Sequence, residues 1–140
     1  MPIDDRERER RRALVRAHYA AENDHDLERI METFADDGVM VYNGQALPSD
    51  ETIRWAHNYI GMSAAPGALS GLRAVIDAEH FTATETVIEG RVCGKHTNEF
   101  LGFAPTQRDV ELPYVAFYRF DANGKLISER VVMNLGPLHG

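Results

Sequence analysis

The sequence has a single cysteine, Cys93, so no disulfide can form within one chain, and no Cys/His cluster has the close ligand spacing of a structural zinc motif. The expectation is a cytoplasmic protein in a reducing compartment, with no metal and no cofactor. No segment approaches the roughly 20 apolar residues of a membrane-spanning helix. Asp4 to Arg12 is a dense mix of acids and arginines where a secretory signal would need an apolar stretch, so neither a leader nor a membrane partner is expected. Basic charge is also scarce. With 15 Lys and Arg against 22 Asp and Glu, the formal charge is -7, and a phosphate backbone would find no basic face to displace its counterions. Nucleic acid is therefore not an expected partner.

What is present fits one core. At 140 residues and 44% hydrophobic content, two domains would each be very small, so residues 1–140 are expected to form a single domain, with 1–9 as the part of the first helix that frays. From about Asp5 the mixed charges can pair three or four residues apart, and Leu14, Val15, His18 and Tyr19 form one helical face. Asn23-Asp24-His25-Asp26 breaks that helix and offers N-cap side chains. Leu27, Ile30, Met31 and Phe34 then recur at helical spacing, and Asp36-Asp37-Gly38 is expected to end this second helix. Val39 to Asn43 reads as a short strand closed by Gly44. Pro48-Ser49-Asp50-Glu51 caps a third helix, in which Ile53, Ala56 and Ile60 share a face. Residues 63–70, with Pro66 and Gly67, should be a loop.

The second half is rich in β-branched and aromatic residues over about 72–81, 86–96, 109–120 and 125–134, which predicts four strands of one antiparallel sheet. Asp121-Ala122-Asn123-Gly124 joins the last two, with Asn-Gly supplying positive φ angles for a tight hairpin. Pro113 cannot donate to a ladder and marks an edge, a bulge or a sharp bend. Helices first and strands after give an α+β domain whose helices cover one face of a curved sheet.

His18-Tyr19-Ala20-Ala21 through Asn23, Asp26-Leu27 and Phe34-Ala35-Asp36-Asp37 resemble the opening helices of nuclear-transport-factor-2-like proteins, ketosteroid isomerases especially. Gly94 to Gly102, followed by Pro105-Thr106, resembles the central motif of the SnoaL-like polyketide cyclases and their ester-cyclase relatives. Tyr118-Arg119-Phe120 and Gly124-Lys125-Leu126 are similar to that family's last hairpin. The resemblance runs from about residue 10 to 135. It implies a cone-shaped, mostly antiparallel sheet of the α+β barrel type, with three N-terminal helices closing an apolar cavity into which a few polar side chains project.

The resemblance also locates the family's chemistry, and this chain departs from it. The carboxylate base, tyrosine and protonated acid of ketosteroid isomerases fall near Tyr42, His18 and Ala116. The acid/base aspartate and assisting histidine of the polyketide cyclases fall on Val131 and Ala116, and Asn134 stands where many relatives carry a second acid. Of the Arg-Asp-Asp set of limonene-epoxide hydrolases, which share the fold, Arg91 alone has a counterpart.

If 116 and 131 face the cavity, strand alternation sends Tyr114, Tyr118, Glu129 and Met133 inward with them. Glu129, His18 and Tyr42 are the candidate catalytic residues: Glu129 or His18 moves the proton, while Tyr42, Asn43 or a neighbouring tyrosine donates to the developing oxyanion. Tyr19, Asn43, Trp55, Tyr59, Tyr114, Tyr118, Val131 and Met133 are the candidate substrate contacts, Trp55 and Tyr59 as a lid or rim. Several have a plainer alternative: an ion pair of Glu129 with Arg119 or Arg130, a core histidine at 18, an Asn-Gly turn for Tyr42 and Asn43, and plain core packing for Trp55 and Tyr59. His96 is assigned to bonding the loop after it, and His57 and His80 to the surface.

Two functions follow. One is a cofactor-independent acid/base enzyme, a cyclase, isomerase, dehydratase or hydrolase, for a small hydrophobic polyketide- or terpenoid-like carbonyl compound. The other is a noncatalytic ligand-binding or interaction module that kept the cavity and lost the family's acid/base residues. In a variant of the first, Tyr42 or Tyr118 serves as the acid. The opposite face of the last hairpin carries Val115, Phe117, Arg119, Arg130 and Val132, which predicts a homodimer through the convex sheet.

Overall fold

The computed structural model describes residues 3–139, so Met1 and Pro2 of the expected frayed start lie outside the described residues. Helix α1 spans Asp5–Asn23. Asp4 caps it by accepting from the Glu7 amide at 2.8 Å, and ion pairs such as Arg10–Glu7 line its outer face. Its inner face buries Arg11, Val15, His18, Tyr19 and Glu22. Arg11 is held by backbone: its guanidinium donates to the carbonyls of Thr82, Ala83 and Glu85 at 2.8–3.0 Å, pinning the helix to a turn of the sheet.

Helix α2 covers only Leu27–Glu32, capped by Asp26. The expected end at Asp36-Asp37-Gly38 is corrected: those residues belong to strand β1, Phe34–Tyr42. Two bonds override the helical spacing of Phe34. The Thr33 hydroxyl donates back to the Ile30 carbonyl at 2.6 Å, and the Leu126 amide donates to the Thr33 carbonyl at 2.8 Å, drawing the chain into parallel pairing with the last strand. Gly38 follows from this approach, because a Cβ there would lie 2.8 Å from the Leu126 carbonyl oxygen.

Strand β2, Gln45–Leu47, extends past the expected stop at Gly44. Asn43 and Gly44, at φ 45° and 84°, make the two-residue turn that pairs Tyr42 with Gln45. Helix α3, Asp50–Ile60, carries a capping box between Ser49 and Thr52 and buries Ile53, His57 and Ile60. His57, expected at the surface, is instead 2% exposed, since it sits on the same face as Ile53 and Ile60.

Strands β3 (Leu69–Phe81), β4 (Thr86–His96), β5 (Asp109–Phe120) and β6 (Leu126–Met133) follow the expected spans closely. The sheet runs β2-β1-β6-β5-β4-β3, antiparallel except for β1 beside β6. It is curved but open, ending at β2 and β3, so it does not close as a barrel. Pro113 pairs with Arg91 and accepts from the Asn134 amide at 2.8 Å just beyond β6, so the one bond it cannot return falls at the end of the β5–β6 ladder. The β5–β6 turn differs from the expected Asn-Gly geometry: Gly124 alone has positive φ, 81°, and the Asp121 carboxylate organises the loop by accepting from the Asn123 and Lys125 amides at 2.9 Å. A short 3-10 turn at Gly136–Leu138 ends the described chain.

Leu126, Ile88, Leu112 and Ala116, on the central strands β6, β4 and β5, are fully buried and form the middle of the core. Gly90 on β4 has a packing role there. A Cβ would meet the Val75 carbonyl oxygen at 2.4 Å and the Tyr114 phenol at 2.9 Å. Gly90→Ala is expected to cost about 2–3 kcal/mol in urea unfolding, the upper part of the usual overpacking range. A loss below about 0.5 kcal/mol would mean that the Tyr114 ring is free to move.

Candidate active site

Between α3, the concave sheet and the 99–102 loop lies a cavity of about 400 Å³, large enough for a small organic molecule. Its mouth is aromatic. Trp55, 54% exposed, stacks on Tyr59 with ring centroids 5.0 Å apart. Tyr59 in turn accepts from the Leu101 amide at 2.8 Å and donates to Glu99 at 2.9 Å, which ties the helix to the loop. The central sequence motif thus builds this rim: Glu99 also accepts from the Gly102 amide, and His96 Nδ1 accepts from the Thr106 amide at 3.2 Å, the loop-bonding role expected of it.

On the wall lie Tyr42, expected as a catalytic residue, and Asn43, Val131 and Met133, expected as substrate contacts. Tyr42 donates to the Met133 sulfur at 3.2 Å, and burial pushes its phenol up. Asn43 is occupied by structure, its side-chain oxygen accepting from the Met133 amide and its amide donating to the Met133 carbonyl. Its turn role and its wall position therefore coexist. Ala116 is fully buried opposite Val131 in the β5–β6 ladder, so two apolar side chains stand at the positions where the resemblance puts an acid/base pair.

The floor carries the polar groups. Tyr114, Tyr118, Glu22, His57 and Glu129 line it, whereas His18 and Tyr19 are absent from the cavity wall and sit one layer behind. Tyr118 donates to Tyr19 at 3.2 Å, and Tyr19 shares a short hydrogen bond with Tyr114. Burial first pushes all three phenols up, followed by Glu22 for Tyr19 and by the neighbouring Tyr19 phenol and then the carboxylates for Tyr114 and Tyr118, so they remain protonated donors.

Four ionisable groups meet beneath them. His18 and Glu22, one turn apart on α1, His57 on α3 and Glu129 on β6 alternate around a ring. His18 Nε2 lies 3.1 Å from Glu22 and 3.7 Å from Glu129, and His57 Nε2 lies 3.6 Å from Glu22 and 3.9 Å from Glu129. All four are at most 4% exposed. The contacts are at ion-pair distance, yet His18 Nε2 and Glu129 Oε1 have no hydrogen-bond partner. Burial opposes the charge of His18, but the carboxylates of Glu22 and Glu129 outweigh it and hold the imidazole up at about 10. Burial likewise works against ionised Glu22, and the two histidines prevail, keeping it down at about 2. His57 is raised against its burial by the same two acids.

Glu129 thus has no arginine partner. Arg119 pairs with Glu85 at 3.2 Å, and Arg130 stacks over Phe117 at 3.9 Å, both reached from the other face of the hairpin. The ring includes two residues that sequence reasoning passed over. Glu22 was signalled by its four-residue spacing from His18, and His57 by its place between Ile53 and Ile60. Their four ligating atoms also lie within 4.8 Å of one another, close enough to hold a metal ion, although the sequence has no compact ligand motif. Among the described residues, no helix is long and apolar enough to cross a membrane.

The architecture is similar to that of several solved structures. The candidate hydroxylase AclR from Streptomyces galilaeus is 24% identical, with a TM-score of 0.75, covering 91% of this chain and 77% of that one. A candidate SnoaL-like polyketide cyclase from Jannaschia sp. CCS1 is 18% identical, with a TM-score of 0.76, covering 90% and 86%. IdmH, a candidate polyketide cyclase from Streptomyces antibioticus, is 18% identical, with a TM-score of 0.75, covering 91% and 94%. No curated protein matches the sequence at a significant level. At these identities the structures establish the α+β fold and leave the chemistry open. The sequence model of the SnoaL-like domain matches residues 15–129, most of the chain, and the protein therefore belongs to the SnoaL-like domain family.

Proposed function

We propose that the protein is an acid/base enzyme of the cyclase type, acting on a small hydrophobic carbonyl compound of polyketide or terpenoid character. The observation that carries this reading is a carboxylate oxygen without a hydrogen-bond partner, Glu129 Oε1, at the floor of an apolar cavity that the Tyr114 and Tyr118 phenols also line. In the proposed step Glu129 takes a proton from the carbon next to the substrate carbonyl. Tyr118 donates to Tyr19 and Tyr19 to Tyr114, which leaves the Tyr114 hydroxyl on the cavity floor to donate to the enolate oxygen. The enolate carbon then attacks a second carbonyl of the same molecule, and His57 returns a proton to the new alkoxide. Glu22 holds His57, and His18, off the wall, is a positioning residue that balances both carboxylates. Tyr42 and Met133 shape the wall, and the reading needs no cofactor.

The test is proton exchange. Cyclic and aryl ketones that fit the cavity are incubated with the protein in deuterated water, and loss of the α-proton signal is followed by NMR. Protein-dependent exchange supports the reading. Saturable binding without exchange would favour a second one, a noncatalytic binding module, for which apolar Ala116 and Val131 at the inherited acid/base positions speak.

We also infer a homodimer through the convex face, where Val132 is 52% exposed beside Val115 and Phe117. Val132→Lys is expected to halve the mass measured by light scattering. A wild type already monomeric at high concentration would exclude the dimer. A cytoplasmic location accords with the lone buried thiol, Cys93.

A further inference from the structure

We propose that His18, Glu22, His57 and Glu129 form a binding site for one divalent first-row transition ion of the zinc type. This goes beyond the catalytic reading and stands on geometry of its own. The first observation is tautomeric. His57 Nδ1 lies 2.8 Å from the Ile53 carbonyl oxygen, which can only accept, so Nδ1 carries the proton. His18 Nδ1 lies 2.8 Å from the Thr33 hydroxyl, which already donates its one proton to the Ile30 carbonyl, so this Nδ1 also carries the proton. With Nδ1 fixed as a donor in both rings, Nε2 is the nitrogen left to ligate, and both Nε2 atoms face the same pair of carboxylates, so an incoming ion would displace the Nε2 protons and take up their lone pairs. Locking a ligating imidazole through its far nitrogen is how proteins orient metal-binding histidines.

The second observation is size. In a tetrahedral zinc site with bonds of about 2.0–2.2 Å, neighbouring ligand atoms stand about 3.4 Å apart. Here the two Nε2 atoms lie 3.1 and 3.6 Å from Glu22 Oε2, His18 Nε2 lies 3.7 Å from Glu129 Oε2 and His57 Nε2 3.9 Å from Glu129 Oε1, and one ligand atom from each residue lies within 4.8 Å of the others, so a modest contraction of the ring would seat the ion. The third is unmet bonding: His18 Nε2 and Glu129 Oε1 are buried without hydrogen-bond partners, and a metal ion would satisfy both. Charge agrees as well. Two carboxylates and two neutral imidazoles cancel a divalent ion, which suits a buried position, and a nitrogen–oxygen donor set is borderline in softness. Glu22, His57 and Glu129 reach the cavity, giving the ion an entry path, while α1, α3 and β6 hold the ligands rigidly. An ion so held would occupy the lone pairs that proton transfer requires, making the loaded and metal-free proteins distinct states of one site.

The experiment titrates chelator-treated, full-length protein with Co²⁺ and then Zn²⁺. One equivalent of Co²⁺ is expected to give the intense visible absorption of a tetrahedral site, bleached by one equivalent of Zn²⁺. In the wild type, Zn²⁺ is also expected to shift the Nε2 nitrogen resonances of His18 and His57 and leave those of buried His96 and exposed His80 unchanged. Glu22→Gln and Glu129→Gln should each weaken Co²⁺ binding at least tenfold, with circular dichroism reporting whether the variants fold. The resonance test needs no variant. Absence of the tetrahedral band, unshifted His18 and His57 resonances, or equal affinity in both folded variants would overturn the site. Because every readout is binding or spectroscopy, failure here leaves the ketone exchange test independent.

Discussion

Glu22→Leu is expected to lower the unfolding free energy by about 3–5 kcal/mol, the usual cost of removing one member of a buried ion pair. Glu22 is 4% exposed and faces both ring histidines, at 3.1 and 3.6 Å. Leucine fills comparable space, so the loss reflects charge more than a cavity. Without this carboxylate, two buried imidazoles share Glu129 alone, and at least one must give up its proton against the preference it has in the wild type. Urea unfolding of chelator-treated protein measures the effect. The double variant Glu22→Leu, His18→Leu should be less destabilised than the sum of the single changes, by about 0.5–3 kcal/mol, since the two residues share one network. A Glu22→Leu loss under about 1 kcal/mol would mean that the acid is solvated and that the ring is no unit.

Glu129→Gln is expected to slow protein-dependent ketone exchange about 10²–10⁴-fold, the typical contribution of a positioned acid/base group. Glutamine keeps the shape and burial of the side chain and removes only its ability to take a proton, so ketone affinity should change little. The comparison separates two roles. A fall in turnover at constant affinity identifies the proton acceptor, whereas a parallel loss of binding identifies a wall residue. If exchange is unchanged, Glu129 is not the base, and Glu22, the other carboxylate on the cavity floor, becomes the group to replace.

These expectations rest on a displacement of polar residues within a familiar scaffold. Ala116 and Val131 occupy the β5–β6 rungs that the resemblance assigns to acid/base chemistry, and neither can move a proton. Glu129 lies two residues before Val131 and so shares its face of the sheet, while His57 and Glu22 approach from helices. The ionisable groups have not vanished from the cavity floor. They reach it from other elements.

How much of this was legible depended on range. The four long strands, the Asp26 and Ser49 caps and the inward set Tyr114, Tyr118, Glu129, Val131 and Met133 follow from residue type and a period of two, which are local properties that the chain carries anywhere. The end of α2 did not follow, because Phe34 has helical spacing and was drawn into β1 by a bond from Leu126, 93 positions away from Thr33. His57 looked like a surface residue because histidine tolerates water and its only local signal was the phase of Ile53 and Ile60. The convergence of His18, Glu22, His57 and Glu129 could not be read at all. It requires α1 and α3 to cross the concave sheet at one place, and that is set by the parallel β1–β6 register and by packing across the core, interactions among residues up to 111 positions apart that no window of sequence contains. Composition and pattern determined an α+β domain with helices over one sheet, and the resemblance of its motifs supplied the SnoaL-like scaffold and cavity; the tertiary structure alone decided which charged groups meet at its floor.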